Sequence, residues 1–296
     1  MKVTPLPEAE PRPRRVAVGT FDGVHLGHRE VIRGSDTVLT FDPHPVAVLH
    51  PEAAPKLLDS FPIKRDLVAS LGVEELVVIP FDREFASRTH AEFVDSVLVE
   101  RLGATHVSVG ENFRFGKRAR GDVEYLRSRP EFETRVVPLV EVEGETVSSS
   151  HIRALVAAGE VDVAARFLGA AFTLEGRVAE GDRRGRSLGM PTANLVPDDR
   201  LVIPGHGVYA ATVDGRPAAV SVGVRPTFET GRGVLIEAHV IDFEGNLYDQ
   251  TVRIAFLERL RGERRFASID ALVAQMWDDV EHAREVCSAA ATVPPP

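Results

Sequence analysis

An apolar run, Arg15-Val-Ala-Val18, empties directly into Gly19-Thr-Phe-Asp-Gly-Val-His-Leu-Gly-His28, and Arg29-Glu-Val-Ile32 resumes apolar spacing behind it. That order reads as strand, tight glycine turn and helix start. Glycine lets a backbone approach a ligand closely, and unpaired N–H groups at a helix start favour an anion. His25 and His28 stand three positions apart at the same corner, where their rings are expected to face the bound group. The arrangement suits a nucleotide triphosphate. A plain βα turn with surface histidines, or a stray metal pair, is the competing reading.

The rest of the first half continues the pattern. Val16–Val18, Val38–Phe41, Leu76–Ile79, His106–Val109 and Arg135–Leu139 read as strands, while Ile63–Leu71 and Glu92–Leu102 carry helical spacing. Strand-helix alternation predicts a parallel sheet covered on both faces, with ligands at the carboxyl ends of its strands. Past Phe172 strands follow one another directly: Leu174–Val178, Gly207–Val213, Ala218–Val222, Leu235–Phe243 and Thr251–Phe256. Asp214-Gly215 is a hairpin signal, and Glu244-Gly245-Asn246 is expected to join two further strands. This half predicts an antiparallel barrel or sandwich. A closing helix over Ser268–Val286 has its apolar stripe at Ile269, Leu272, Val273, Met276 and Val280. Met1–Arg15 reads as a loose arm and Pro294–Pro296 as a frayed tail.

At 296 residues the chain accommodates two domains, and its 44% hydrophobic and 27% charged residues are those of a soluble globular protein. No apolar run approaches the ~20 residues of a membrane span. A single cysteine excludes an internal disulfide and a cysteine-based zinc cage, and together these features favour a cytoplasmic enzyme. The net charge of −9 argues against a protein that coats nucleic acid, and it makes the basic clusters Arg114–Arg120 and Arg183–Arg186 more informative.

Three segments join the glycine-histidine corner. Thr40-Phe-Asp-Pro-His-Pro45 closes a strand and is expected to put His44 at the sheet's carboxyl edge, although a structural turn explains it equally well. Gly110-Glu-Asn-Phe-Arg-Phe-Gly-Lys-Arg-Ala-Arg-Gly121 mixes aromatics that can stack on a flat ring with cations that can hold phosphates. An RNA-binding loop is its rival reading. Ser148-Ser-Ser-His-Ile-Arg153 opens a helix with capping hydroxyls, and Arg153 in a first turn opposes the helix dipole unless an anion binds there.

These four segments, in this order, resemble the FAD synthetase (FMN adenylyltransferase) module of bacterial bifunctional flavin enzymes. The pattern GxFDGVHxGH is complete, as are TFDPHP and the FRFG loop, while Ser148-Ser149-Ser150 replaces the usual serine-serine-threonine. The resemblance, over about Val16 to Gly169, implies a nucleotidyltransferase-like, Rossmann-like sheet. It implies that His25 and His28 stabilise ATP phosphates, that Gly19, Phe21, Asp22 and Gly27 shape their cradle, and that Asn112, Ser149, Ser150 and Arg153 lie near the nucleotide. Only nine residues separate His28 from Val38, which predicts a shortened first helix.

The second half resembles the riboflavin kinase module. Its signature begins with Gly181-Asp-Arg-Arg-Gly-Arg-Ser-Leu-Gly-Met-Pro-Thr-Ala-Asn194 and continues with Gly207-Val-Tyr209, Gly223-Val-Arg-Pro-Thr-Phe228, Glu237, Asp242-Phe243, Leu247-Tyr248 and Arg261-Gly-Glu-Arg-Arg-Phe266. On residues alone, Thr192 and Asn194 fall on one face of an extended strand and offer oxygens suited to Mg²⁺. Glu237, on the polar face of Leu235–Ile241, is the best candidate base for a poorly acidic alcohol. The resemblance implies that Gly181, Arg186, Gly189, Thr192 and Asn194 hold Mg²⁺–ATP. It further implies that Glu237 activates the riboflavin 5′-hydroxyl and that Arg261 and Phe266 border the flavin.

The expectation is therefore an FAD synthetase domain over 12–169 and a riboflavin kinase barrel with a C-terminal helix over 170–288. They would convert riboflavin to FMN and FMN to FAD with ATP and Mg²⁺, in a monomer or weak homo-oligomer without nucleic-acid or membrane partners. The alternatives are a kinase with a degenerate first domain, a nucleotidyltransferase acting on another substrate, and a non-catalytic flavin- or RNA-binding regulator.

Overall fold

The computed structural model describes residues 1–180, 190–224 and 233–291. The chain divides into two compact units, Met1–Pro55 with Phe61–Ser148, and Lys56–Ser60 with Ser149–Pro296.

The first unit is a parallel sheet of β1 (Lys2–Pro5), β2 (Arg14–Val18), β3 (Thr37–Asp42), β4 (Glu75–Pro80), β5 (Ala104–Gly110) and β6 (Glu133–Val137), in the order β1-β4-β3-β2-β5-β6. Its helices are α1 (Leu26–Ile32), α2 (Pro45–Leu49), α3 (Phe61–Ser70), α4 (Arg83–Ala86), α5 (His90–Phe93, continued by a π-helical stretch Val94–Arg101) and α6 (Val123–Arg127). Successive β2 side chains feed opposite cores. Val16 and Val18 meet Leu39, Val77, Val107 and Phe93, while Ala17 meets Ile32, Val38, Val68 and Leu76. A strand buried on both faces explains why this apolar run does not alternate.

All five expected strands are present, with small shifts at their ends. The shortened crossover is also real, since α1 has seven residues. Residues 19–36 nevertheless carry the chain from β2 to β3, and the parallel pairing Val16↔Thr37 to Val18↔Leu39 is intact.

The expected loose arm is a correction. Lys2–Pro5 is a sixth strand pairing with β4, and Arg14 is buried. Its Nε and Nη2 donate to Glu75 Oε2 at 3.1 and 3.0 Å, and its Nη1 donates to the carbonyls of Glu10 and Leu102. Thr4 Oγ1 donates to Glu75 Oε1 at 2.7 Å, and Arg12 adds a bond at 3.2 Å. Proline and charge mislead here because the partner carboxylate lies some sixty positions downstream.

The second unit opens with α7 (Ser149–Ala158) and α8 (Val161–Leu168). Strands β9 (Phe172–Ala179), β10 (Ala193–Pro197), β11 (Gly207–Val213), β12 (Arg216–Val224), β13 (Val234–Val240) and β14 (Thr251–Arg261) follow, then α9 (Ile269–Ala291). The strands form a closed antiparallel barrel in the order β10-β13-β12-β11-β14-β9, which decides between barrel and sandwich. Phe256 makes aromatic contacts with both Phe172 and Tyr209. Ala210 and Ala219 meet Met276, Val280 and Ala283 of α9, so small residues on the strands let the helix sit close.

Asp214 and Gly215 both have positive φ, as a primed two-residue hairpin requires. The expected strand Leu235–Phe243 stops at Val240, and Asp242 turns at φ 56°. Residues around Glu244–Asn246 link β13 to β14, but these strands are not barrel neighbours, so no hairpin forms there. The stripe of α9 begins at Leu272, because Ile269 is 68% exposed. The tail Pro294–Pro296 lies outside the described residues.

Burial alone would raise the Glu75 pKa, but Thr4 and the guanidinium groups of Arg14 and Arg12 hold it below the usual range. Removing one partner of a buried pair strands the other. Glu75→Ala is expected to cost about 3–5 kcal/mol, read as a lower denaturant midpoint for the sheet unit. An unchanged midpoint would leave the arm's anchoring to β1 pairing alone.

Candidate active sites

Strand order in the sheet reverses at β2, whose neighbours β3 and β5 lead outward in opposite directions. Ligands of open parallel sheets bind beyond the carboxyl ends of the strands at such a point. The loops after β2 and β5 are the two motif segments Gly19–His25 and Gly110–Gly121.

The glycine corner is tightly wound. Phe21, Gly23 and Val24 have φ of 48°, 87° and 39°. A Cβ on Gly19 would lie 3.0–3.3 Å from the Phe21 ring, so glycine makes room for that buried ring. Asp22 is buried in the same turn. His25 caps α1, its Nδ1 accepting the His28 N–H at 3.2 Å, which leaves Nε2 to carry its proton. The His25 and His28 rings stack, with centroids 3.5 Å apart at 15°, and Phe21 meets His28 edge-on at 5.3 Å. A Cβ on Gly27 would come within 3.3 Å of the His25 ring, so that position too must stay bare.

Burial first, then the charges of His25 and Lys64, hold the His28 pKa well below 6.5. His28 Nδ1 is buried and has no hydrogen-bond partner among the described residues. A buried, unprotonated imidazole with an unsatisfied nitrogen suits a ligand that hydrogen-bonds to it.

Other predicted residues are used differently. Phe113 and Phe115 stack on each other at 5.5 Å, and Phe115 is buried against Phe93 and Tyr125. That pair is committed to internal packing, with Phe115 in the core. Asn112 is exposed just beyond β5. Lys117, Arg118 and Arg120 line a groove of about 370 Å³ with Thr89 and His90. His44 follows β3 and caps α2 through Nδ1, so edge position and structural turn are both observed. Ser149, Ser150 and Arg153 share the first turn of α7 in the second unit, where Arg153 Nη2 donates to Ser150 Oγ at 3.1 Å. Lys64, which the sequence reading passed over, is buried on α3 and donates from Nζ to the Thr20 carbonyl at 3.0 Å. Its signal was a lysine on the same helical stripe as Leu67 and Val68.

In the barrel, β10 and β13 pair so that Asn194 lies directly opposite Glu237. Residues opposite each other in an antiparallel pair point to the same face, with Cβ atoms ~5 Å apart. Ile236, Ala238 and Val240 are buried, and Glu237 is half-buried on the other face, as the alternation implies. Asn194 is 7% exposed, and its Oδ1 is buried without a hydrogen-bond partner among the described residues. His239 Nδ1 lies 2.9 Å from the Pro191 carbonyl, tying the residue before Thr192 to β13. A cleft of about 450 Å³ opens beside Thr192, bounded by Pro191, Ala238, Phe243, Leu247 and Tyr248. An orphaned amide oxygen next to a hydroxyl and a carboxylate fits a hard cation that takes few protein ligands and several phosphate oxygens.

Arg261 is bonded by Nε and Nη2 to Asp279 at 2.7–3.1 Å, and its guanidinium lies 5.7 Å from the Phe266 ring centroid. Gly181, Arg186 and Gly189, with the Arg183–Arg186 cluster and Arg225–Phe228, lie outside the described residues.

Known proteins match along most of the chain. A family model for FAD synthetase matches residues 8–151, and one for riboflavin kinase matches 168–287. Proteins described as bifunctional riboflavin kinase/FMN adenylyltransferase from Pseudomonas fluorescens, Listeria monocytogenes and Escherichia coli are 35%, 34% and 34% identical. The first match covers 93% of each chain and the other two 91% of each. A crystal structure described as a macrolide-efflux protein from Streptococcus pneumoniae superposes with a TM-score of 0.86 at 32% identity, covering 96% of this chain and 99% of that one. Its description names efflux, whereas no helix among the described residues here is long and apolar enough to cross a membrane.

His28 refuses a proton that the unfolded chain accepts, so the stability linked to it is complete above pH 6.5 and is lost as pH falls below that value. An anion at the corner reverses the bias. Titrating the imidazole resonances with and without pyrophosphate is expected to show the His28 pKa moving upward. An unmoved pKa would remove polyphosphate from this corner.

Proposed function

Because the chain belongs to the family of bifunctional riboflavin kinase/FMN adenylyltransferases, we propose a division of labour between the glycine-histidine corner and the β10–β13 pair. The protein phosphorylates riboflavin to FMN and adenylylates FMN to FAD, each with ATP. The motifs assign adenylyl transfer to 12–169 and phosphorylation to 170–288, close to the matched ranges.

The observation that carries the kinase assignment is the direct pairing of Asn194 with Glu237. The riboflavin 5′-hydroxyl is a weak acid, so its attack on the γ-phosphate gains from a base that takes its proton, and Glu237 is that base. Thr192 and Asn194 hold Mg²⁺, with His239 fixing the Pro191 carbonyl behind them. When bound, Mg²⁺ neutralises charge on the transferring phosphates. Gly181, Arg186 and Gly189 complete the ATP contacts, and the cleft beside Thr192 takes the nucleotide. Arg261, held by Asp279, orients Phe266 along the flavin.

Adenylyl transfer poses a different problem. The FMN phosphate is already ionised, so its attack on the α-phosphate of ATP needs no base. It needs two anions aligned and the charge on departing pyrophosphate stabilised. His25 and His28 donate to the phosphates, Gly19, Phe21, Asp22 and Gly27 keep their cradle in shape, and Asn112, Ser149, Ser150 and Arg153 hold the nucleotide. Intact β2–β3 pairing and the match over 8–151 favour a working first module over a kinase with a degenerate partner. The lone cysteine and the bacterial relatives fit a cytoplasmic enzyme, and the proposal takes it as a monomer or weak homo-oligomer.

Glu237→Gln is expected to slow riboflavin phosphorylation by about 10²–10⁴ while FMN adenylylation continues at its normal rate. His28→Ala is expected to do the opposite. Chromatographic scoring of FMN and FAD in separate assays decides the matter. Loss of both products in either variant would overturn the separation of sites.

A further inference from the structure

Lys64 lies on the buried stripe of α3 together with Ile63 and Val68, and it is only 8% exposed. A lysine there gives up hydration that its long side chain ordinarily retains by reaching to the surface. Instead its Nζ is held inward, donating to the Thr20 carbonyl at 3.0 Å. The buried Thr40 hydroxyl bonds to the same carbonyl at 3.2 Å. Thr20 is the second residue of the glycine turn, so the ammonium is fixed at the base of the corner that His25 and His28 crown.

Its field reaches the His28 ring, whose pKa is lowered by burial first, then by His25 and Lys64. Two histidines, Lys64 and the buried Asp22 therefore stand at one corner of a chain whose net charge is −9. A buried ammonium that perturbs a buried imidazole marks a site shaped for its ligand rather than for stability alone.

We propose that the Lys64 ammonium is the fixed positive charge of the adenylyl-transfer site and contacts the pyrophosphate portion of ATP. The inference rests on the reading of the first module as an FMN adenylyltransferase. In that reaction an FMN phosphate oxygen bonds to the α-phosphorus as the bond from that phosphorus to the bridging oxygen breaks. Pyrophosphate leaves with the electron pair, and no proton or redox partner is required. An unprotonated His28 supplies a hydrogen bond but no net charge. Lys64 supplies the charge that the leaving group calls for, already in position before the bond breaks.

Inorganic pyrophosphate is the probe, because only this half-reaction makes it. Lys64→Met, Lys64→Gln and Lys64→Arg in the full chain separate charge from packing, as Gln retains a donor for Thr20 and Arg retains the charge. A charge-assisted contact is worth about 10- to 100-fold. Met and Gln are therefore expected to weaken pyrophosphate binding and to slow FAD formation by that factor, with Arg recovering part of the loss. Riboflavin phosphorylation by the same preparations is expected to stay at the wild-type level, and an unchanged denaturant midpoint for the sheet unit certifies its folding. If Met disrupts folding, the Gln and Arg variants decide alone. Wild-type pyrophosphate affinity and FAD formation in the Gln variant would overturn the role of Lys64 while leaving the adenylyltransferase reading intact. A wild-type protein that makes FMN but no FAD would overturn that reading and this inference together.

Discussion

The reversal of strand order at β2 is the constraint on which the first module depends. Moving outward from β2 through β3 and β4, or through β5 and β6, each strand lies beside a neighbour that shares its direction. Only at β2 do the loops on either side diverge, leaving a crevice beyond the carboxyl ends. Gly19–His25 fills that position because β2 ends at Val18, and α1 can start at Leu26 only through a turn with three positive φ values. The stacked histidines follow from that turn. His25 caps the helix, His28 lies one turn later against it, and Gly27 must carry no side chain for the rings to meet.

The barrel solves its problem through register. A one-residue slip between β10 and β13 would put Asn194 and Glu237 on opposite faces of the sheet. Alternation on β13, with Ile236, Ala238 and Val240 buried, fixes the face, and closure of the barrel fixes the pairing. The two modules therefore meet anionic substrates with different chemistry for a physical reason. An alcohol nucleophile requires a carboxylate held beside oxygen donors, whereas an ionised phosphate requires donors and fixed charge but no base.

Much of this was legible in the sequence because local patterns governed it. The sheet strands, the Asp214-Gly215 turn, the histidine corner and the alternation that puts Glu237 on the polar face of its strand all depend on spacing within a few residues. What escaped depended on distant partners. Arg14 reads as part of a charged arm until Glu75 is beside it, and Phe115 reads as a stacking platform until Phe93 and Tyr125 enclose it. Lys64 draws no reading from its helix, because its partner Thr20 lies 44 positions upstream. Residues around Glu244–Asn246 resemble a hairpin turn, but barrel order sends β14 to β11 and β9 instead.

The division of the chain by motif differs from its division by packing, and α7 shows why. The FAD synthetase match extends to residue 151, within the Ser149–Arg153 turn, yet the compact units part between Ser148 and Ser149. Ile152 and Val156 are fully buried, and His151 meets Phe167 of α8 edge-on at 4.8 Å. The backbone that fixes Arg153 is thus stabilised by α8 and the barrel unit. A segment cut at the end of the matched range would retain Ser149 and Ser150, lose Arg153 and leave the helix without the surface that folds it. An isolated helix of ten residues is too short to persist in water. The first module's motif therefore ends on a helix whose folding belongs to the second.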